Sequence, residues 1–319
     1  MTKDEITANT EAAPDGVLIL DKPAGMTSHD CVARIRRLYN TKKVGHTGTL
    51  DPMATGVLPI LIGRAAKASE YLTAEEKGYE AILRIGIVTD TEDTTGQILS
   101  RAEVLPSADE VYLAAASFLG EYEQIPPMYS ALKVDGKKLC DLARSGITVE
   151  RKARTVFIRA LTCTSIPGSK TDYRLSVRCS KGTYIRTLCA DIGARLGCGA
   201  VMAELRRTQS GSFTLSDAHT LTAIEQLSPD ERTALLAPTE SLFSELTGIF
   251  LPAFFERLAD NGQPVSLHKL KNGAMLAALP VGTVVRMEGE TKGFFALGTI
   301  RLCGEDARPA VCPTKKFKL

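Results

Sequence analysis

The chain has 319 residues, 44% apolar and 24% charged, with 39 Lys/Arg against 37 Asp/Glu and a formal net charge of +2. That length accommodates one large domain and a smaller one, each with its own core, and no run approaches the eighteen or so apolar residues of a membrane span. The composition is that of a soluble globular protein and excludes a helical membrane protein.

Residues 1–16, MTKDEITANTEAAPDG, carry Asp4, Glu5, Glu11 and Asp15 against Lys3 and lack an apolar stretch. A disordered acidic tail is expected there, not a signal peptide, and the expected compartment is the cytoplasm. The cysteines at 31, 140, 163, 179, 189, 198, 303 and 312 form no C-x-x-C pair, and His29, His46, His219 and His268 form no H-E-x-x-H frame. Reduced, mostly buried thiols are expected, with neither zinc nor a disulfide framework.

In chain order, VLILDKPAG (17–25) reads as a short strand ended by Pro23 and Gly25. Thr27 with Asp30 signals a capping box for a helix to about Tyr39, its Val32, Ile35 and Leu38 turned inward and its arginines outward. A glycine-containing loop follows, then a helix over 64–73 and a strand over 79–88 that alternates through Tyr79, Ala81, Leu83, Ile85 and Ile87. Ser107 with Glu110 caps a helix reaching Leu119. The segment 123–146, rich in proline and polar residues, reads as a long loop leading into a short helix, and a loop of that size usually has a function. Strands are expected at 153–165 and 173–180, a helix from Thr183 to Leu196 ending at Gly197, and a strand near 200–208. Beyond a mostly helical connection, residues 250–319 read as short strands with turn glycines, the pattern of a small β-barrel, and the boundary falls near 246.

Charge is unevenly spread. Arg34, Arg36, Arg37, Lys42 and Lys43 cluster before the glycine loop and Lys315, Lys316 and Lys318 at the end, while residues 246–319 carry ten Lys/Arg against six Asp/Glu. Either cluster is able to meet phosphate.

The loop KVGHTGTLDPMATGVLPI (43–60) presents one carboxylate, Asp51, between Leu50 and Pro52. Pro52 steers Asp51 away from helical angles, and the neighbouring glycines allow tight turns and close backbone approach to a ligand. The string G-H-T-G-T-L-D-P-x-A-T-G-V-L resembles the catalytic motif of pseudouridine synthases, specifically the bacterial tRNA pseudouridine-55 synthase family. The resemblance continues in family order through DKPAGMTS (21–28), GYEAILRIGIVTDTEDTTG (78–96), IPPMYSALKVDGKKL (125–139), CSKGTYIRTLCADIGARLGCGA (179–200) and ELRRTQSG (204–211), covering roughly 17–245.

This resemblance implies an isomerase that breaks the N-glycosidic bond of a T-loop uridine in tRNA, turns the uracil over and rejoins it through C5, with no cofactor and no metal. A single nucleophilic carboxylate suffices, whereas a two-carboxylate glycosidase needs a second acid or base to activate water. By family position Asp51 is the nucleophile, Arg186 its charge partner, and Tyr79 the ring that stacks on the base and takes part in proton transfer at C5. Tyr184 and Leu205 match positions lining the uracil pocket, and His46 the ring that fills the stack after the base is flipped out. Lys22 matches a residue bordering the substrate site. The 123–146 segment resembles an RNA-clamping insertion, with Cys140 where the family usually has tyrosine.

The implied fold is α+β: a mixed, largely antiparallel sheet with flanking helices over 17–245, plus a PUA-like RNA-binding β-barrel over 246–319. The implied partner is the tRNA T-arm, with no membrane, no obligate protein partner and a monomeric state. A silent RNA-binding protein has no reason to keep Asp51, Tyr79 and Arg186 together. A base methyltransferase needs a cofactor loop of the G-x-G-x-x-G or G-x-x-x-x-G-K-[ST] type, and neither is present. A related synthase within a guide-RNA particle is the remaining alternative; the absence of long Lys-rich tails favours a stand-alone enzyme.

Overall fold

Two uninterrupted apolar runs, VLIL at 17–20 and VLPILI at 57–62, organise the structure, because strands without alternation must be covered on both faces. In the computed structural model, which describes residues 14–69, 71, 76–130, 132–134 and 136–318, these runs become β1 (Gly16–Lys22) and β3 (Thr55–Ile62), paired antiparallel. The tail expected over 1–16 lies outside the described residues as far as residue 13. The other strands of the first two thirds are β2 (Val44–His46), β4 (Lys77–Ile85), β5 (Ile87–Thr89), β6 (Ile98–Arg101), β7 (Gly120–Gln124), β8 (Lys133–Val134), β9 (Lys137–Lys138), β10 (Arg154–Ser165), β11 (Asp172–Cys179), β12 (Ala200–Ser210), β13 (Phe213–Thr214) and β14 (His219–Thr220). Their main sheet runs β14-β1-β3-β12-β4-β11-β10-β7, with β2 on β3 and β13 on β12. Among the described residues only the β1–β14 and β3–β12 pairs of this sheet are parallel, so it is mixed and largely antiparallel, as expected.

One face is covered by helices. The capping boxes at Thr27 and Ser107 start α1 (Ser28–Leu38) and α2 (Ala108–Ala116) where the sequence placed them. Next come α3 (Leu139–Arg144) and α4 (Ile185–Leu196), the latter closed by Gly197 at φ +73°, a left-handed C-cap. Cys31, Val32, Ile35, Val111, Ile185, Leu188 and Ile192 pack onto Leu18, Leu20, Leu58, Ile60, Leu83 and Ile85 in the principal core.

Two element boundaries differ from expectation. The helix over 64–73 is a short 3₁₀ segment, Gly63–Ala68, and residues 70, 72, 73, 74 and 75 lie outside the described residues. The strand over 79–88 breaks at Gly86, whose φ of +87° lies outside strand geometry, so Ile87 begins a separate two-stranded sheet with β6.

The helices α5 (Leu221–Gln226) and α6 (Pro229–Ala234) lead to the C-terminal unit. Its strands β15 (Gly248–Leu251), β16 (Val265–Ser266), β17 (Val284–Gly289), β18 (Gly293–Cys303) and β19 (Arg308–Lys316) pair in the order β15-β17-β18-β19-β16, a curled half-barrel, with α7 (Ala253–Asp260) and α8 (Gly273–Ala277) packed beside them. Lysines also tie this unit together through local contacts. Lys292 and Lys316 both pair with Asp260 at 2.7 Å, and Lys318 Nζ donates to the Lys292 carbonyl.

The second face of β1 and β3 is covered in part by this C-terminal unit. Val17, Ile19, Val57 and Leu61 share an apolar cluster with Phe243, Phe294, Leu297 and Phe317, and the Phe243 ring lies 5.7 and 5.5 Å from those of Phe294 and Phe317. Residues 246–319 are therefore joined to the large sheet by a real core. Phe317→Ala is expected to cost about 3–5 kcal/mol of stability, measured by denaturant unfolding. A loss below about 1 kcal/mol would show that the cluster contributes little.

Candidate active site

The loop after β2 reaches over the helix-bearing face of the sheet, and the KPAGMTS segment fixes it there. Lys22, fully buried, donates from Nζ to the carbonyls of Pro23, Pro52 and Ala54 at 2.9, 3.3 and 2.7 Å. The Gly25 N–H donates to the Pro52 carbonyl at 2.8 Å. Ser28, at the start of α1, accepts from the Leu50 N–H at 2.9 Å and donates to the Leu50 carbonyl at 3.2 Å. Asp51 is thus held from both sides by backbone contacts. Lys22, expected to border the substrate site, braces this loop: an enclosed ammonium needs acceptors, and three carbonyls supply them. Burial lowers its pKa and the nearby Asp51 opposes that shift.

Arg186 occupies the first turn of α4 and turns its guanidinium onto Asp51. Nε lies 2.9 Å from Oδ2 and Nη2 3.4 Å from Oδ1, a two-point contact. Nη2 also donates to the Tyr129 carbonyl at 2.8 Å, Nη1 to the Thr91 carbonyl at 3.2 Å, and Nη1 stands 3.7 Å from Asp93 Oδ2. The Arg186 side chain is 6% exposed and that of Asp93 7%, while Asp51 keeps 35%. The carboxylate is therefore the open end of a buried Asp93–Arg186–Asp51 chain. Burial raises the Asp51 pKa above the usual carboxylate range, Arg186 pulls it down, and Asp93 pushes it up again.

Asp93 was not singled out from the sequence, although TDTEDTTG carried a signal: alternating Asp and Thr between two strands is the composition of a self-bonded turn. Its Oδ1 accepts from the Thr91 and Thr95 hydroxyls and the Thr95 N–H at 2.8, 2.6 and 2.9 Å. Gln124 was also missed. Its amide accepts from the Tyr184 N–H at 2.8 Å and donates to the Tyr184 carbonyl at 2.9 Å, fixing the N-cap of α4 just before Arg186.

Tyr79 and Leu205 lie on adjacent strands. In the β12–β4 register Leu205 faces Ala81 and Arg207 faces Tyr79, which puts Tyr79, Leu205 and Arg207 on one face. Leu205 and Tyr79 are both buried in the principal core. Gly56, beside Arg207 on β3, has φ +100°, and a Cβ there would stand 2.1 Å from the Arg207 carbonyl oxygen, so only glycine lets the strands meet. His46, half-buried at the end of β2, accepts the Gly48 N–H at Nδ1 (3.3 Å) and packs edge-on against His29 with ring centres 5.6 Å apart. Burial and the charges of His29 and Arg207 lower its pKa, favouring a neutral ring.

The 123–146 segment leaves β7, forms the β8–β9 hairpin and ends in α3. Its Tyr129 carbonyl is the one that receives Arg186, which ties the base of the insertion to the carboxylate pair. Cys140 is half-buried, its N–H bonded to the Ser130 carbonyl at 3.1 Å. Among the basic residues before the loop, Arg34 pairs with Glu225 at 2.5 Å and Arg36 donates to the Val44 carbonyl, while Arg37, Lys42 and Lys43 are exposed.

Residues 36–185 match the model of the TruB family pseudouridylate synthase N-terminal domain, and 186–244 that of the tRNA pseudouridylate synthase B C-terminal domain. The chain is 48% identical over 286 residues to tRNA pseudouridine synthase B of Aromatoleum aromaticum, spanning 89% of this chain and 88% of the relative. It is 48% identical over 276 residues to tRNA pseudouridine synthase B of Ralstonia nicotianae, spanning 86% and 85%. Among solved structures it is similar to a chain in the crystal structure of a Cbf5-Nop10-Gar1 complex, with TM-score 0.72, 27% identity, and coverage of 96% of this chain and 85% of that one.

Proposed function

The chain belongs to the TruB family of pseudouridylate synthases, and from that premise we propose that it isomerises uridine 55 in the T-loop of tRNA to pseudouridine. The observation that carries this reading is the Asp51–Arg186 pair: one partly open carboxylate, charge-matched from behind by a buried guanidinium, with the buried Tyr79 near enough to feel its charge. Such a carboxylate is ionised when the base arrives and is oriented to act as the nucleophile, and no second acid is needed because no water enters the product.

The target uridine is extruded from the T-loop stack into this pocket, and the neutral His46 ring is suited to take its place. Tyr79 stacks on the uracil and serves the proton at C5; Tyr184 and Leu205 line the pocket. The exposed Arg37, Lys42 and Lys43 supply phosphate contacts beside the catalytic loop, the 123–146 insertion closes over the RNA, and residues 246–319 act as a PUA-like RNA-binding unit with its boundary near 246. The enzyme works as a monomer, in the cytoplasm. Among the described residues no helix is long and apolar enough to cross a membrane.

The identity of 48% to tRNA pseudouridine synthase B of Aromatoleum aromaticum, against 27% to a chain of the Cbf5-Nop10-Gar1 complex, favours action without a guide RNA. The test is incubation of the purified protein with unmodified tRNA transcript and no other RNA, followed by mapping of pseudouridine. Conversion confined to the T-loop uridine supports the reading, and conversion that requires an added guide RNA overturns it.

A further inference from the structure

Arg207 was not expected to have a role, yet it is among the largest fully buried side chains. Its Nε donates to the Val57 carbonyl at 2.7 Å and its Nη2 to the Gly48 carbonyl at 3.2 Å, so the guanidinium lies beneath the catalytic loop. Among the described residues it forms no ion pair with a carboxylate, unlike Arg186. A buried cation without a carboxylate partner is costly, and beside the two carbonyls the side chain that hydrogen-bonds it is that of Tyr79. The titratable group opposite it in the strand register is the Tyr79 phenol.

We propose that Arg207 is a positioning residue for catalysis: it is the fixed counter-charge of the Tyr79 phenolate, and so makes Tyr79 the base that removes the C5 proton. This rests on the isomerase reading above. Once C5 has bonded to C1′ of the ribose, C5 is tetrahedral and carries both the sugar and its original hydrogen, and the ring holds an N1=C6 double bond. The phenolate oxygen takes that hydrogen as a proton, the C5–H pair becomes the C5=C6 double bond, and the N1=C6 pair moves onto N1. N1 then takes a proton, which the neutral phenol returns directly or through water. Tyr79 ends as it began, and the product keeps every atom of the substrate.

Of the groups around Tyr79, Arg207 is the one that acts in the direction this requires. Burial raises the Tyr79 pKa, and the neighbouring Cys179 on β11 and Asp51 in the loop raise it further, whereas Arg207 on β12 lowers it. On the other side Arg207 faces Lys22 on β1 and His46 on β2, neither of which supplies a negative charge. Removal of the guanidinium therefore leaves a phenol that ionises only at higher pH.

The experiment is single-turnover conversion of tRNA transcript, with ordinary uridine and with uridine deuterated at C5, across neutral to alkaline pH in the parent, R207Q and R207K. Thermal unfolding and tRNA binding accompany each variant. R207Q is expected to bind normally, to convert about 10²-fold more slowly at neutral pH, to shift the rising limb of its profile to higher pH, and to show a deuterium isotope effect larger than the parent's. R207K, which keeps the charge, is expected within about tenfold of the parent, and it carries the test if R207Q does not fold. An unshifted limb without an isotope effect in R207Q, or a large rate loss in R207K with neither signature, overturns the proposal. A parent that forms no pseudouridine instead fails the isomerase reading itself.

Discussion

Asp51→Asn is expected to abolish isomerisation while leaving tRNA affinity nearly intact. Asparagine matches aspartate in size but carries no negative charge, and the carboxylate is what attacks. The backbone brace does not depend on that charge: Lys22, Gly25 and Ser28 hold the loop through the carbonyls of Leu50, Pro52 and Ala54. RNA affinity rests on phosphate contacts and loop shape, and loss of an anion near the RNA backbone tightens binding slightly if it changes it at all. The paired measurement is tRNA binding at fixed salt and pseudouridine formed in a single turnover with enzyme in excess, on one preparation. The expected fall is at least about 10³-fold, on the order of 4 kcal/mol of barrier. A variant within about tenfold of the parent, ~1.4 kcal/mol, would falsify the nucleophile assignment. Joint loss of binding and folding would instead mark Asp51 as a turn residue.

How far the site was legible in the sequence depended on whether a residue announced itself locally. The capping boxes at Thr27 and Ser107 and the glycine stop at 197 are short-range signals, and the structure forms them where the sequence placed them. Asp51, Tyr79 and Arg186 stood in ordered motifs. Asp93 and Gln124 act through residues about 60 to 95 positions away in sequence, Asp93 on Arg186 and Gln124 on Tyr184, and no local pattern encodes such a partner. Arg207 lay in between: alternation from Leu205 puts it on the same face, but an arginine in a strand is ordinarily read as solvent-facing.

The C-terminal unit shows the same limit. Its turn glycines and short strands were readable, but Phe294 and Phe317 look in sequence like members of a private barrel core. In the structure they cover Val17, Ile19, Val57 and Leu61 on the outer face of the large sheet. Truncation near 246 removes ten Lys/Arg and also strips that face. Its effect on rate therefore has to be read beside its effect on stability.

Arg186→Met is the second large effect. The guanidinium contacts both oxygens of Asp51, stands 3.7 Å from Asp93, and donates to the Thr91 and Tyr129 carbonyls, so one substitution removes the centre of five contacts. Asp51 loses the cation that offsets burial, and its proton affinity rises. The nucleophile must be ionised, so the acid limb of the rate profile, which falls as pH drops through the Asp51 pKa, moves to higher pH. The rate on the plateau is expected to fall about 10²–10³-fold, ~2.7–4 kcal/mol. Stability falls too, by about 3–5 kcal/mol, because breaking a buried pair leaves Asp93 with an uncompensated charge. Its three hydrogen bonds from Thr91 and Thr95 soften that loss. Arg186→Lys, with a point charge in place of the planar fork, cannot span both Asp51 oxygens and Asp93, and is expected between the two. The checks are single-turnover rates from acid to neutral pH and thermal unfolding of the same samples. A folded Arg186→Met enzyme with a near-normal rate and an unmoved acid limb would mean that Asp51 is kept ionised by something other than its guanidinium partner.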